Sequence, residues 1–186
     1  MSYDFHLDIE TLSTAPNAAV IQIGMAVRSN VKLDSLIVSI PASWYHNNAH
    51  SFDISEDTLR WWSIQSAQAQ ASLTINQVSK PQRALIKMLQ FMHVNGFDDK
   101  STIWANAPTF DCTIMRHMFT AFEAPVPWNF WQERCVRTIK RELGEFFGPP
   151  PVHEELTAHR ADHDALKQMH TVDYYFGCIE DLKYER

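Results

Sequence analysis

Residues Tyr3 to Ile9 alternate without a break: Tyr3, Phe5, Leu7 and Ile9 are apolar, and Asp4, His6 and Asp8 lie between them. A period of two places each set on its own face of an extended chain, so the run predicts a β-strand. Asp8-Ile9-Glu10 closes it. Residues i and i+2 of a strand point the same way, which sets two carboxylates side by side. Like charges that close repel, and they require a cation, a shared proton or open solvent. A solvated strand end carries the same pattern, so the pair gains meaning only from its context.

The context is an α/β chain. Ala19 to Val27 predicts a second, more uniformly apolar strand and Leu36 to Ile40 a third, with polar Arg28 to Ser35 turning between them to give an antiparallel meander. Helices follow. Ser55 with Glu56 and Asp57 reads as an N-cap and acidic first turn, and Ser79-Lys80-Pro81-Gln82 as a capping box. Leu85, Met88, Leu89 and Met92 then recur at helical spacing up to Gly96. Thr102 to Ala105 predicts a strand, Met115, Met118, Phe119 and Phe122 a helix ended by Pro125, and Arg134 to Val136 a last strand. A helix over Thr138 to Phe147 is broken by Gly148-Pro149-Pro150-Pro151. The final helix carries Ala161, Ala165, Met169, Val172 and Phe176 on one side. Too little chain follows the prolines for a second core, so they predict a surface loop, and residues 1–186 are expected to form one domain.

Two further motifs hold acids. Asn106-Ala107-Pro108-Thr109-Phe110-Asp111 joins a strand to a helix, with Asp111 in the first turn, where the helix dipole favours a carboxylate in any protein. His159-Arg160-Ala161-Asp162-His163-Asp164 opens the last helix, with Asp162 competing with Asp164 for a ligand role and His163 and His170 expected on the surface. Each motif is modest alone. Together, in this order, they resemble the DEDDh exonucleases of the ribonuclease H-like superfamily. Thr11 after Glu10, and Val20-Ile21-Gln22-Ile23-Gly24, are similar to further signatures of that family. Leu59-Arg60-Trp61-Trp62-Ser63-Ile64-Gln65-Ser66 resembles its Rv2179c-like and phage DexA-like branch.

The resemblance implies a mixed five-stranded sheet flanked by helices and a 3′→5′ exonuclease that releases nucleoside 5′-monophosphates. It implies that Asp8, Glu10, Asp111 and Asp164 bind two divalent metal ions, directly or through water, and that His159 is the general base. Thr11 and Leu12 match positions that meet the terminal nucleotide. Mg²⁺ and Mn²⁺ suit an all-oxygen carboxylate set. The expected partner is the 3′ end of a nucleic acid, as single strand or overhang. DNA is slightly favoured from the phage-like branch, with an exoribonuclease as the alternative.

Substrate grip is read from the residues. Trp61 and Trp62 are adjacent on a helix and cannot share a face, so one is expected in the core, with the other either stacking on a base or structural as well. Asn106 is a candidate substrate contact or a helix cap. Arg116, Arg134, Arg137 and Lys140 are scattered cations within reach of phosphates or solvent. The net charge is −6, so whole-chain basicity gives no cue to nucleic acid, and bound cations would have to supply positive charge locally. Three scattered cysteines and a polar N-terminus predict a cytoplasmic protein, and no apolar run is long enough to span a bilayer. Related enzymes include dimers, which leaves a homodimer open. Two other classes remain: a nucleic-acid-binding module on the same fold without catalysis, and a structural protein with acidic patches.

Overall fold

The structure is a computed structural model and describes residues 3–28, 32–46 and 51–184. Strands β1 (Asp4–Thr11), β2 (Val20–Arg28) and β3 (Leu33–Ser39) form the expected meander. Helices α1 (Ala42–His46), α2 (Glu56–Ser63), α3 (Ala67–Ser72) and α4 (Pro81–Val94) follow. Then come β4 (Thr102–Ala105), α5 (Asp111–Ala121), β5 (Glu133–Cys135), α6 (Val136–Phe147) and α7 (Ala161–Tyr184). The strand order is β3-β2-β1-β4-β5. The first three strands are antiparallel and β1, β4 and β5 run parallel, so β1 is central and the sheet is mixed.

The alternation in β1 separates two packed layers rather than core from solvent. Phe5, Leu7 and Ile9 enter the main apolar cluster with Ala84, Leu85, Met88 and Met92 of α4 and Ile114, Met115, Met118 and Phe119 of α5. The opposite face meets α6 and α7. Ala26 packs on Ala165 and Met169, and Trp104 on Val136 and Val172. Burial on both faces explains the uniformly apolar run of β2. It also means that His6, Asp8 and Glu10 lie beneath a helix layer instead of in open solvent.

Several local expectations shift. The box at Ser79 does not form: Lys80 occupies the N-cap without a side-chain cap bond, and Pro81 begins α4. Proline presets the helical φ and has no N–H to satisfy, so that start is stable without the box. Ser55 is the N-cap of α2 but makes no side-chain cap bond. Glu56 and Asp57 instead pair with Arg60 on the exposed helix surface. The polar turn predicted over 28–35 is shorter, because β2 reaches Arg28 and β3 begins at Leu33; its tip, 29–31, lies outside the described residues. The last strand begins at Glu133, and Val136 already belongs to α6. In α7 the stripe Ala161, Ala165, Met169 and Val172 is buried, while Phe176 at its end is 43% exposed.

Candidate active site

The start of α7 is fixed against β2 by two residues. Gln22 is fully buried; its Oε1 accepts from the Ala161 N–H at 2.9 Å, and its Nε2 donates to the Ser72 carbonyl at 2.7 Å and to Ser39 Oγ at 3.0 Å. The side chain therefore caps α7 and ties it to β3 and α3. Two residues along the same face, Gly24 lies so close to α7 that a Cβ there would sit 2.0 Å from the Ala161 carbonyl carbon. Any side chain at 24 would force the helix away. Because Gly24 pairs with Asp8 and Gln22 with Glu10 across β1 and β2, the helix start is pressed over the paired carboxylates. The strand register also shifts between Glu10 and Thr11, a bulge of the kind that re-aims side chains beside functional sites.

Asp8, Glu10, Asp111 and Asp164 converge there. Asp111, 4% exposed, opens α5 directly after the loop from β4, and Asp164 sits in the first turn of α7. All four line one cavity of about 390 Å³ with His159. Burial, then the charges of Asp111, Glu10 and Asp164, push the Asp8 carboxyl well above the usual carboxylate range, against a hydrogen bond from Gln168. Burial, then Asp164 and Asp111, raise Glu10 to about 8. Burial lifts Asp111 to about 7 against backbone hydrogen bonds at Ala107, Asp111 and Ile9. Carboxylates crowded out of water and against one another are a site for a cation.

His159 stands at the cavity lip with a left-handed backbone, φ 56°. Its N–H donates to Asp164 Oδ2 at 2.7 Å, and its ring meets the edge of Trp61 with centroids 4.7 Å apart. One ligand atom each from Glu10, His159 and Asp164 lie within 4.8 Å of one another. Lys167 Nζ donates to the other oxygen of Asp164 at 2.8 Å. The donor set fits a divalent cation of the Mg²⁺ or Mn²⁺ type: carboxylate oxygens dominate, and no cysteine lines the cavity. Asp162, the competing acid, is drawn away by a two-point ion pair with Arg160 (2.8 and 2.9 Å) and does not line the cavity.

A second cavity of about 430 Å³ shares Ile9, Glu10 and Phe110 with the first and adds Thr11, Thr14, Ser55, Asp57, Thr58 and Trp61. Trp61 is 39% exposed on its wall, while Trp62 is buried with Nε1 donating to the Thr11 carbonyl at 2.9 Å, which resolves the division of the two tryptophans. Leu12 lies in the core and lines neither cavity. Asn106 is exposed on the first cavity's wall and does not cap α5, whose N-cap is Phe110. Of the scattered cations, Arg137 and Lys140 line the first cavity. Arg116 is held by Glu133, with Nε 3.0 Å from its Oε1, and Arg134 bonds the Trp131 carbonyl. His163 and His170 are half-buried rather than exposed: His163 Nδ1 accepts the Thr157 N–H at 2.8 Å, and His170 stacks on His153. Lys167 and Gln168 were not singled out from the sequence. Their spacing of three and four residues after Asp164, one helical turn, was the available signal.

The fold has known counterparts. The nuclease described as cell-death related nuclease 4 (CRN-4) superposes with a TM-score of 0.57 at 16% identity, over 92% of this chain and 62% of that one. The chain thus spans about three fifths of that nuclease. The nuclease domain of 3′hExo, described as a DEDDh family member bound to rAMP, gives a TM-score of 0.56 at 12% identity, over 92% of this chain and 90% of that one. Both share the ribonuclease H-like fold of a five-stranded mixed sheet with flanking helices. No curated protein matches the chain. Residues 3–176 match the family model described as the 3′-5′ exoribonuclease Rv2179c-like domain, so the chain belongs to the Rv2179c-like family of 3′-5′ exonuclease domains.

Proposed function

We propose that residues 1–186 act as one metal-dependent 3′→5′ exonuclease domain that removes nucleoside 5′-monophosphates from single-stranded ends. The observation that carries this reading is the convergence of Asp8, Glu10, Asp111, Asp164 and His159 on a single cavity. A phosphodiester is an anion that resists anionic attack, and a pair of divalent ions supplies the missing charge stabilisation and an activated water. The four carboxylates hold that pair, and the chain's other residues act around it. His159, on the lip, takes the proton of the attacking water at an imidazole nitrogen. Its neighbour Trp61 steadies the ring and offers its exposed face to the terminal base. Thr11 meets the terminal nucleoside in the second cavity, and Asn106, Arg137 and Lys140 face the next phosphate in the first.

Of the two substrate chemistries, the family description favours RNA, against the lean toward DNA drawn from the Trp61-Trp62 stretch. The hydroxyl groups of Thr14, Ser55 and Thr58 around the second cavity suit a ribose, whose 2′-hydroxyl both donates and accepts, while the Thr11 hydroxyl donates to the Ser13 carbonyl and is left to accept. Matched RNA and DNA oligonucleotides, labelled at the 5′ end, test both levels. The expected result is a ladder shortening from the 3′ end with Mn²⁺ or Mg²⁺, abolished by chelator and faster on RNA. Absence of metal-dependent mononucleotide release would leave only a binding module on this fold.

A further inference from the structure

We propose that Gln168 is the positioning residue for Asp8: its amide fixes one oxygen of the central carboxylate so that the other is presented to a divalent cation. This rests on the metal-dependent reading above. Gln168 lies one helical turn after Asp164, so a single face of α7 contributes both an acid of its own and a clamp for an acid of β1. Its Nε2 donates to Asp8 Oδ1 at 2.9 Å, the one side-chain hydrogen bond described for that carboxylate. The side chain is only 6% exposed, so the contact is locked by packing rather than sampled in solvent.

The choice of side chain has a chemical logic. A primary amide donates to a carboxylate without carrying charge. It therefore orients Asp8 without competing for the site as an ammonium does, and the adjacent Lys167 is already spent on Asp164. The arrangement has a structural cost. Gln168 Oε1 is buried without a partner, and on the same face so are His6 Nδ1, two residues before Asp8, and Trp104 Nε1, whose ring stacks on His6. A buried acceptor left unpaired weighs against stability, and an apolar residue of equal volume would remove that penalty. Retention of the amide here is explained by its other end, which holds Asp8. Outer-sphere partners of metal ligands act in this way, and their loss typically lowers metal affinity by roughly 10–100-fold.

Gln168→Met keeps the volume and removes both the donor and the orphan acceptor. Gln168→Glu keeps the shape and sets a fourth negative charge against Asp8. Calorimetric Mn²⁺ titration and melting of the chelated protein are measured on both, with single-turnover assays at saturating Mn²⁺. For Gln168→Met the expected result is Mn²⁺ affinity lowered by about 10-fold or more, an apo melting point close to the parent's, because the orphan acceptor that is removed offsets the hydrogen bond lost at Asp8, and a rate that recovers at high Mn²⁺. Gln168→Glu loses the same donor but adds a carboxylate that attracts the cation, so its Mn²⁺ affinity should lie above that of Gln168→Met. Mn²⁺ affinities within twofold of the parent for both variants would overturn the assignment. So would a Gln168→Met protein that melts well below the parent, since the amide would then serve the core. A parent protein that binds no Mn²⁺ defeats the metal-dependent reading itself, a separate outcome from a parent that binds and variants that do not differ.

Discussion

His159 is held by two contacts that belong to different tasks. Its backbone, at φ 56°, is bonded through the N–H to Asp164, and its ring is braced by Trp61. Removing the imidazole leaves the backbone contact and the four acids in place. His159→Ala should therefore fold and bind Mn²⁺ as the parent does while turnover falls by roughly 10²–10⁴-fold, the usual contribution of a general base. A parallel loss of Mn²⁺ affinity would make the imidazole a ligand, which its nearness to Glu10 and Asp164 permits. The acids give a pH signature of their own. Burial, then the charges of Asp164 and Asp111, raise Glu10 from an ordinary 4.5 to about 8, and Asp8 and Asp111 move the same way. The unfolded chain releases these protons first. The stability they contribute is thus complete below about pH 4.5 and is lost as pH rises through about 8. Metal-free protein should melt at a lower temperature at pH 8 than at pH 5.5. Glu10→Gln should flatten that decline, and the stabilisation gained from Mn²⁺ should grow with pH as fewer protons need displacing. A chelated protein with the same melting point at both values, in parent and variant alike, would mean that the carboxylates do not share one desolvated cup.

At the level of elements, the site depends on how closely α7 crosses β2. Gly24→Ala introduces a Cβ against backbone atoms that have no freedom to rotate aside, with Ala161 C at 2.0 Å and Asp162 N at 2.2 Å. Ordinary overpacking costs about 1–3 kcal/mol, and a backbone clash exceeds that, which for a chain of this size lowers the melting point by roughly 5 °C or more. Activity should fall further than stability predicts, because the displaced helix carries Asp164. Gln22→Ala leaves the Ala161 N–H at the start of α7 unsatisfied, at about 1–3 kcal/mol, and removes the shorter of the two hydrogen bonds to the Ser72 carbonyl. Thermal melts and Mn²⁺ titrations of both variants check this, and an unaltered Gly24→Ala protein would show that the helix does not rest there. The same contacts explain what was legible in the sequence. The Gln22-Ile23-Gly24 run was visible as a family signature, but its purpose was not, since residues 22 and 161 meet only in three dimensions. Strand β1 and the long helices follow from periodicity and β2 from its continuous apolar run, whereas the grouping of the four acids rests on the family resemblance. The short helices α1 and α3 left no periodic trace, because five or six residues complete less than two turns. The predicted cap at Ser79 failed because Pro81 sets the helix start one residue later than the box requires, with Lys80 at the N-cap. Lys167 and Gln168 carried no motif at all. Their meaning comes from Asp164 and Asp8, which lie on different elements of the fold.

For the molecule as a whole, the contrast is between an acidic chain and an anionic substrate. The net charge is −6, four acids line the cup, and the cations on its wall are Arg137, Lys140 and Lys167. Lys167 is paired with Asp164, so two or three side chains are available to neutralise phosphates. Each neutralised phosphate releases counterions, and for single strands the logarithm of affinity falls with the logarithm of salt by about 0.7 per contact. The slope expected here is therefore shallow, about −1.4 to −2. Proteins that grip long polynucleotides through an extended basic face behave differently, with slopes several times steeper. The grip on this substrate should come instead from the strand end, through the terminal nucleoside in the second cavity and the metal-filled cup. Two consequences can be measured together: kcat/KM on a labelled single strand between 20 and 200 mM KCl at fixed free Mn²⁺, and KM on strands of increasing length. Over that tenfold range of salt kcat/KM should fall by roughly 25- to 100-fold, and lengthening the strand beyond the first few nucleotides should add almost nothing to affinity. A slope near −5, with KM falling steadily as the strand grows, would require a broad cationic surface on a molecule whose charge and cavity lining offer only a local one.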